Sequence, residues 1–450
     1  MLFRSDGRQR TSCGGGQLHC RSQGVVCAAG EAHGCSILDR MTDRETIAPI
    51  PAHSIMLHIG AHKTGTTSLQ AALFAARARL QDQGVFNVVD EGREDANLAA
   101  RSVQRLPASG STGAPVDFNV WKRLVRSAND HPDSRISISA ESFAVSESAI
   151  ISTIVEELGH ERIEVVITLR PLAKILPSQW QQDLHGAWSN AAFDVWLRET
   201  LEHPQPHRKI GPLSVPHQFW FRHRHDALVA RWAEAVGSDR ITLVVVDEQR
   251  KVSLFETFER LLDVESGTLQ SVEVTRNQSM TRVEMQIMQR YGELLESTEV
   301  GRRIVEKSRY HKALRILRKI RPDNQNDERL VVPPWSRTKL QEIQHEIVAN
   351  LQSSGARVIG SLERLNWLPE GNGLEAERSG HFDGLTALDV EAIAERMLKN
   401  AARRLEVGGS SGDTAVGSRR RRSVGSVFAK PRETALRALR LGLRYIRIRF

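Results

Sequence analysis

"LHIGAHKTGTTSLQAAL" (57–73) is the stretch from which the rest of the chain can be read. The apolar Leu57 and Ile59 run into Gly60, a loop of small, hydroxyl and basic residues follows, and an Ala/Leu-rich stretch begins after Thr66. That order predicts a short buried strand, a tight loop and a helix. Gly60 and Gly65 let the chain turn. His62, Lys63, Thr64, Thr66, Thr67 and Ser68 gather donors where the positive end of the helix would lie. Such a loop suits an anion, above all a phosphate. The spacing of Gly60 and Gly65 is that of the ATP/GTP loop G-x-x-x-x-G-K-[ST], but position 66 is threonine and the lysine comes early, at 63. A plain strand–helix turn with a threonine N-cap would explain one glycine and one hydroxyl. It would not explain the lysine and the run of hydroxyls.

Outward from the loop, strands and helices alternate. "SIMLHIG" (54–60) reads as a buried parallel strand and "TTSLQAALFAARARLQDQG" (66–84) as a helix stopped by glycine. "RISISAESF" (135–143) reads as a strand, "AIISTIVEELG" (149–159) as a helix and "RIEVVITLR" (162–170) as a third strand. "LAKILPSQWQQDL" (172–184) continues as a helix after Pro171. "HDALVARWAEAVG" (225–237), "RITLVVVDE" (240–248) and "LFETFERLLD" (254–263) repeat helix, strand and helix. Past 281 strand signals fade, and "RVEMQIMQRYGELLE", "ALRILRKI" and "TKLQEIQHEIVANLQ" read as helices. The expected fold class is α/β: a three-layer, P-loop-like parallel sheet flanked by helices, with additional C-terminal helices. Residues 1–50 are expected to be a disordered leader or an over-extended start, with translation beginning near Met41. Residues 51–370 form the α/β domain, 371–418 a linker with one short helix at 389–406, and 419–450 a basic tail.

The 450 residues are 40% hydrophobic and 26% charged, an ordinary globular composition. No stretch approaches the roughly 18–20 apolar residues that span a bilayer. No apolar core follows the early arginines as in a secretory signal. The expected location is therefore cytoplasmic. Cys13, Cys20, Cys27 and Cys35 have no common zinc spacing, and no cysteine follows them. Disulfides and thiol catalysis are thereby excluded from the α/β region. The net charge of +8 is also local: residues 419–450 hold eleven Lys/Arg and one acid, Glu433, so the body is close to neutral.

A second motif bears on the loop. "ITLRPLAKILPSQWQQ" (167–182) closes a strand at Arg170 and places Ser178 eight residues later in the next helix. A rigid, permanently charged guanidinium suits a phosphate oxygen, and a serine adds a neutral donor. Lys63-Thr64-Gly65-Thr66-Thr67 with Arg170 and Ser178 resembles the donor site of the PAPS-dependent sulfotransferase family, in its bacterial branch. The resemblance covers roughly residues 54–265. It implies a sulfotransferase-like domain that moves a sulfuryl group from 3′-phosphoadenosine-5′-phosphosulfate (PAPS) to a hydroxyl or amine, in line and without a metal. It implies donor contacts from His62, Lys63, Thr64, Gly65, Thr66, Thr67, Ser68, Arg170 and Ser178. Lys63 would neutralise charge growing on the bridging oxygen, and Ser178 would interact with that lysine and restrain hydrolysis before the acceptor binds. The family's base, a His or Glu, lies near the end of the strand before the arginine strand, which here ends at Glu141. Glu141 stays open between general base, helix cap and salt bridge to the loop lysine. The Arg-Lys-Gly triplet of the vertebrate cytosolic members is absent, and Arg276 is the nearest late basic candidate.

The acceptor is expected to be a small molecule or carbohydrate, such as a glycan or glycolipid. Residues 186–224 hold Trp188, Trp196, Phe219, Trp220 and Phe221 among prolines, and read as a long connection partly covering the cleft. Acceptor stacking and ordinary packing both fit those aromatics. His223 and His225 read as a solvated or acceptor-side cluster rather than a metal site. Arg437, Arg440, Arg444 and Arg447 would share one helical stripe, which suits an interfacial helix on anionic lipid as well as a disordered tail. In the lipid case the protein would sit peripherally at the inner membrane. No nucleic-acid-binding module accompanies the basic tail. Two other functions remain open: a P-loop nucleotide-dependent kinase, with "LVVVDE" (243–248) supplying its acid, and a non-catalytic peripheral membrane protein with an anion-binding loop.

Overall fold

The computed structural model describes residues 47–88, 96–108, 113–185, 191–204, 215–246, 254–270, 280–299, 313–320, 330–370 and 387–408. The cysteine-bearing leader, Trp188, the acidic end of "LVVVDE", Arg276 and the basic tail all lie outside those residues.

Six strands form one parallel sheet: β1 Ile55–His58, β2 Val85–Asn87, β3 Arg135–Ser139, β4 Ile163–Leu169, β5 Ile241–Val245 and β6 Arg357–Ile359. The order is β2-β3-β1-β4-β5-β6. β1 and β5 are buried along their whole length, as apolar runs covered on both faces must be. Ile55 pairs with Ile136 of β3 and with Ile163 of β4, so β1 is the central seam. From β1 the chain goes outward to β2, returns to β3 beside β1, then crosses to β4 on the other side. The connections therefore diverge at β1, and a crevice opens at the C-terminal ends of β3, β1 and β4.

The helices are α1 Thr66–Ala75, α2 Arg77–Gln81, α3 Ala96–Val103, α4 Phe118–Asn129, α5 Ser148–Leu158, α6 Leu172–His185 and α7 Phe193–Glu202. They continue as α8 Val215–His223, α9 His225–Val236, α10 Leu254–Leu262, α11 Arg282–Ser297, α12 Ala313–Ile320, α13 Arg337–Gln352 and α14 Ala387–Gly408. α11 opens with a capping box between Thr281 and Glu284, and Glu284 also takes a forked bond from Arg318 of α12 (2.9 and 3.2 Å). α14 buries Val390, Ala394, Met397 and Leu398, and its Glu391 pairs with Arg290 of α11. The helix expected within a linker is thus longer than the pattern suggests and packed on the core.

Other differences have local causes. The helix expected over 66–84 is two, because Ala76 (φ −89°, ψ 0°) bends the chain between α1 and α2. The strand expected to reach Phe143 ends at Ser139, and Glu141 begins a 3-10 turn, Glu141–Val145. β2 and β6 are three residues each, too short to show alternation. The expected cleft-covering connection over 186–224 contains α7 and α8. Trp196 and Trp220 are fully buried there and Phe219 stacks edge-on to both, so these aromatics are core. No helix of the described residues is long and apolar enough to cross a membrane.

Candidate functional site

The loop Ile59–Gly65 is tied down from below. Ile59 and Ala61 donate their N–H groups to Val166 and Thr168 of β4 (3.1 and 3.0 Å), extending the sheet past β1. Thr64 turns inward, donating to the Ala61 carbonyl (2.7 Å) and meeting the Thr168 hydroxyl (2.5 Å). Thr66 also reaches the Ala61 carbonyl (3.3 Å). Both threonines are fully buried and brace the loop. Beneath them, buried His58 bridges Ser139 of β3 (2.8 Å) and Thr168 of β4 (3.2 Å), locking the three central strands.

Above this brace the loop faces the crevice. Gly65 (φ 93°) lets the chain enter α1, whose first turn carries no side-chain cap. Its early N–H groups thus lack the usual side-chain acceptor. Thr67 is exposed and Ser68 half-buried in that turn. Lys63 itself takes a left-handed backbone (φ 68°), a strained conformation for a residue with a Cβ. Its ammonium makes no hydrogen bond or ion pair to a described residue. Burial lowers the Lys63 pKa, while Glu141 and Asp183 raise it and Arg222 and Arg170 lower it further.

The neighbouring strand ends supply Glu141 and Arg170. Arg170 Nη1 donates to the Lys63 carbonyl (3.3 Å), joining the arginine motif to the lysine motif. Glu141 lies against the start of the loop: a Cβ on Gly60 would stand 3.4 Å from both its Cα and its Cβ. Gly60 (φ 97°) is therefore needed for its conformation and for this close approach. The turn carrying Glu141 is held by a relay. Ser142 N–H donates to Asn97 (3.2 Å), Asn97 to Gln70 of α1 (3.4 Å), and Gln70 to the Ser139 carbonyl (3.0 Å). Ser178 is half-buried on α6 and makes no hydrogen bond to a described residue.

Residues without a motif complete the site. Asp183 of α6 is fully buried, and burial pushes its carboxyl up to about 7. Gln179, one turn back, donates to Asp183 Oδ1 (2.8 Å), whereas Oδ2 has no partner. His223 of α8 approaches the Gln179 carbonyl oxygen through Nε2 (3.4 Å) and stands edge-on to the His62 ring, centroids 6.3 Å apart. Both imidazoles are held well below their ordinary pKa, burial first, so both are neutral at pH 7. The expectation of a solvated cluster at His223 and His225 fails, since both are buried at the α8–α9 junction. Arg222 faces Asp183 and Glu141 from α8, and Arg101 of α3 faces Arg222 and His62. Four cations, Lys63, Arg170, Arg222 and Arg101, thus surround the crevice, with Glu141 and Asp183 as its acids. The i, i+4 spacing of Gln179 and Asp183 was the one sequence signal for the second acid.

No family model matches the chain, and no curated protein matches it. Among solved structures, a sulfotransferase from Alicyclobacillus acidocaldarius is similar at 13% identity, with a TM-score of 0.35, over 59% of this chain and 96% of that one. At that identity and TM-score the likeness adds nothing to the reading of the site, which rests on the residues and geometry above.

Proposed function

We propose that the protein is a sulfotransferase that moves a sulfuryl group from PAPS to a hydroxyl or amine, on an acceptor such as a glycan or glycolipid. The observation carrying this reading is Lys63, its ammonium without a hydrogen bond to a described residue at the mouth of an uncapped helix, with Arg170 bonded to the Lys63 carbonyl. The residues fit a polyanion. The cations outnumber the acids, and the first turn of α1 adds oriented N–H groups. The donor, when bound, supplies an activated sulfur whose bridging oxygen leaves with the 5′-phosphate.

The chain's residues then have separable tasks. The α1 N-terminus with Thr67 and Ser68 holds the phosphosulfate oxygens. Arg170 and Ser178 take the 3′-phosphate, the arginine as a fixed charge. Lys63 neutralises the leaving oxygen as the S–O bond breaks. Glu141, against the loop and facing Lys63, accepts the proton of the attacking hydroxyl. The inward bonds of Thr64 and Thr66 assign them to bracing the loop. In this reading Lys63 meets the charge that develops on the bridging oxygen, so no metal is invoked.

Thermal unfolding with 3′,5′-adenosine bisphosphate (PAP), ATP and Mg²⁺ tests this. At one hundred times its Kd, PAP alone should add about 2.7 kcal/mol of stability. Stabilisation by ATP–Mg²⁺ and not by PAP would establish the kinase reading instead.

A further inference from the structure

The site holds one buried acid that the mechanism above does not use. Asp183 lies on the helix that follows Arg170 and is linked to the loop through Gln179, His223 and the His62 ring. Its side chain is 0% exposed, and its two oxygens are not equivalent. Oδ1 accepts from Gln179 Nε2 (2.8 Å), and Oδ2 has no partner. The Gln179 amide is oriented by its own neighbours: its nitrogen serves Asp183, so its oxygen must accept. His223 Nε2 is therefore the protonated nitrogen in the 3.4 Å contact with it. Donation runs one way along the chain, from His223 to Gln179 to Asp183 Oδ1. Among the described residues, no side chain supplies a donor to Oδ2.

The charged groups facing Asp183 are Lys63 from the loop and Arg222 from α8. Glu141, from the turn after β3, faces the same two cations. Without a ligand, the two acids are the counter-ions of Lys63 and Arg222. An oxyanion on the loop takes over that task. A second buried negative charge beside it then becomes unfavourable, and a carboxylate there gains by taking a proton.

We propose that Asp183 is a ligand contact of this anion site: it takes a proton from solvent onto Oδ2 and donates a hydrogen bond to an oxygen of the bound anion. The reaction is a simple protonation, carboxylate plus H⁺ to carboxylic acid, and Gln179 fixes which oxygen receives it. This inference rests on the anion reading of the loop, and holds whether that anion is PAP or another polyphosphate.

The direction of the proton follows from charge. Asp183 titrates at about 7 before an anion arrives, and an added negative charge moves it higher. Binding therefore takes up a fraction of a proton near pH 7, and a larger fraction as pH rises. Affinity should fall as pH rises above 7, approaching about tenfold per pH unit.

Calorimetry of the full chain in buffers of different ionisation enthalpy reads this uptake, with PAP, inorganic pyrophosphate and ATP–Mg²⁺ as probes. Uptake with whichever probe binds, lost in Asp183→Asn, is the expected result. The infrared difference spectrum on binding should gain a protonated-carboxyl band that the variant lacks. Binding by the parent protein without proton uptake overturns the proposal, even if the variant does not fold. Uptake that survives in Asp183→Asn places the proton on another group of the site, and also overturns it. Binding of none of the three probes removes the site itself. PAP failing while ATP–Mg²⁺ binds with uptake refutes the sulfotransferase reading and leaves Asp183 in its role.

Discussion

Replacing Lys63 separates stability from function, because the same residue is costly to the fold and central to the proposed chemistry. Two costs are visible: a half-buried ammonium with its pKa lowered by burial, and a left-handed backbone at φ 68°. Lys63→Ala removes the first and keeps the second. Lys63→Gly removes both. The left-handed conformation costs a residue with a Cβ about 1–2 kcal/mol. The greater unfolded-state freedom of glycine returns about 0.5–1 kcal/mol. Lys63→Gly should thus exceed Lys63→Ala by about 0.5–1 kcal/mol in denaturant unfolding, and both should exceed the parent protein at neutral pH. Turnover should move oppositely. Removing the group that faces the leaving oxygen should slow single-turnover release of sulfate from PAPS to water by about 10²–10³, or about 2.7–4 kcal/mol at the transition state. Variants that are less stable than the parent, yet equal to it in PAP affinity and sulfate release, would refute both halves of the reasoning. They would favour a loop that binds anions without chemistry.

Other outcomes follow from single contacts. His58 is fully buried with its pKa lowered to about 3, so it is neutral in the fold and charges on unfolding below about 6.5. Stability should fall with pH from about 6.5 toward 3, with His58 alone accounting for about 2 kcal/mol between pH 7 and 5. His58→Gln should flatten that slope in denaturant titrations, and an unchanged slope would contradict the assignment. Arg318→Met removes the guanidinium from the buried Glu284 carboxylate, and should cost about 3 kcal/mol by urea unfolding. Gly60→Ala forces a left-handed alanine whose Cβ lies 3.3 Å from the His62 nitrogen and 3.4 Å from Glu141. It should lose about 1–2 kcal/mol of stability and weaken PAP binding, whereas Gly84→Ala, open around its Cβ, should keep PAP affinity.

The loop half of the candidate site was legible because chain order places it. A strand, a loop and a helix in direct succession must put Lys63 at a helix N-terminus at the end of β1. A strand closed by Arg170 must bring its guanidinium to the same sheet edge if β1 and β4 are neighbours. The structure has that pairing. Arg222 and Arg101 were not legible, because nothing local marks them, and Asp183 had only its i, i+4 spacing from Gln179. They come from α8, α3 and α6, and meet only after those helices pack around the crevice. The aromatics of 186–224 were undecided for the reverse reason. Their types suit a ligand as well as a core, and only the packing shows that Trp196, Phe219 and Trp220 fill the space between α7 and α8.

The charges met in this way give the early lysine its meaning. In the ATP loop the lysine follows the second glycine, on the helix, and approaches phosphates from the helix side. Here Lys63 precedes Gly65 and leaves the loop on the side facing Glu141, Asp183 and Arg222. A cation there does not simply add to the helix N-terminus. Glu141 and Asp183 are the acids that raise its pKa. In the proposed reaction it would stand between them and the anion, and a group transferred away from the loop would pass toward those acids. A neutral or cationic nucleophile held by Glu141 would therefore meet the transferred group with Lys63 on the departing oxygen. In the proposed reaction, the offset of the lysine by three residues is what would give the phosphate cradle a direction of transfer.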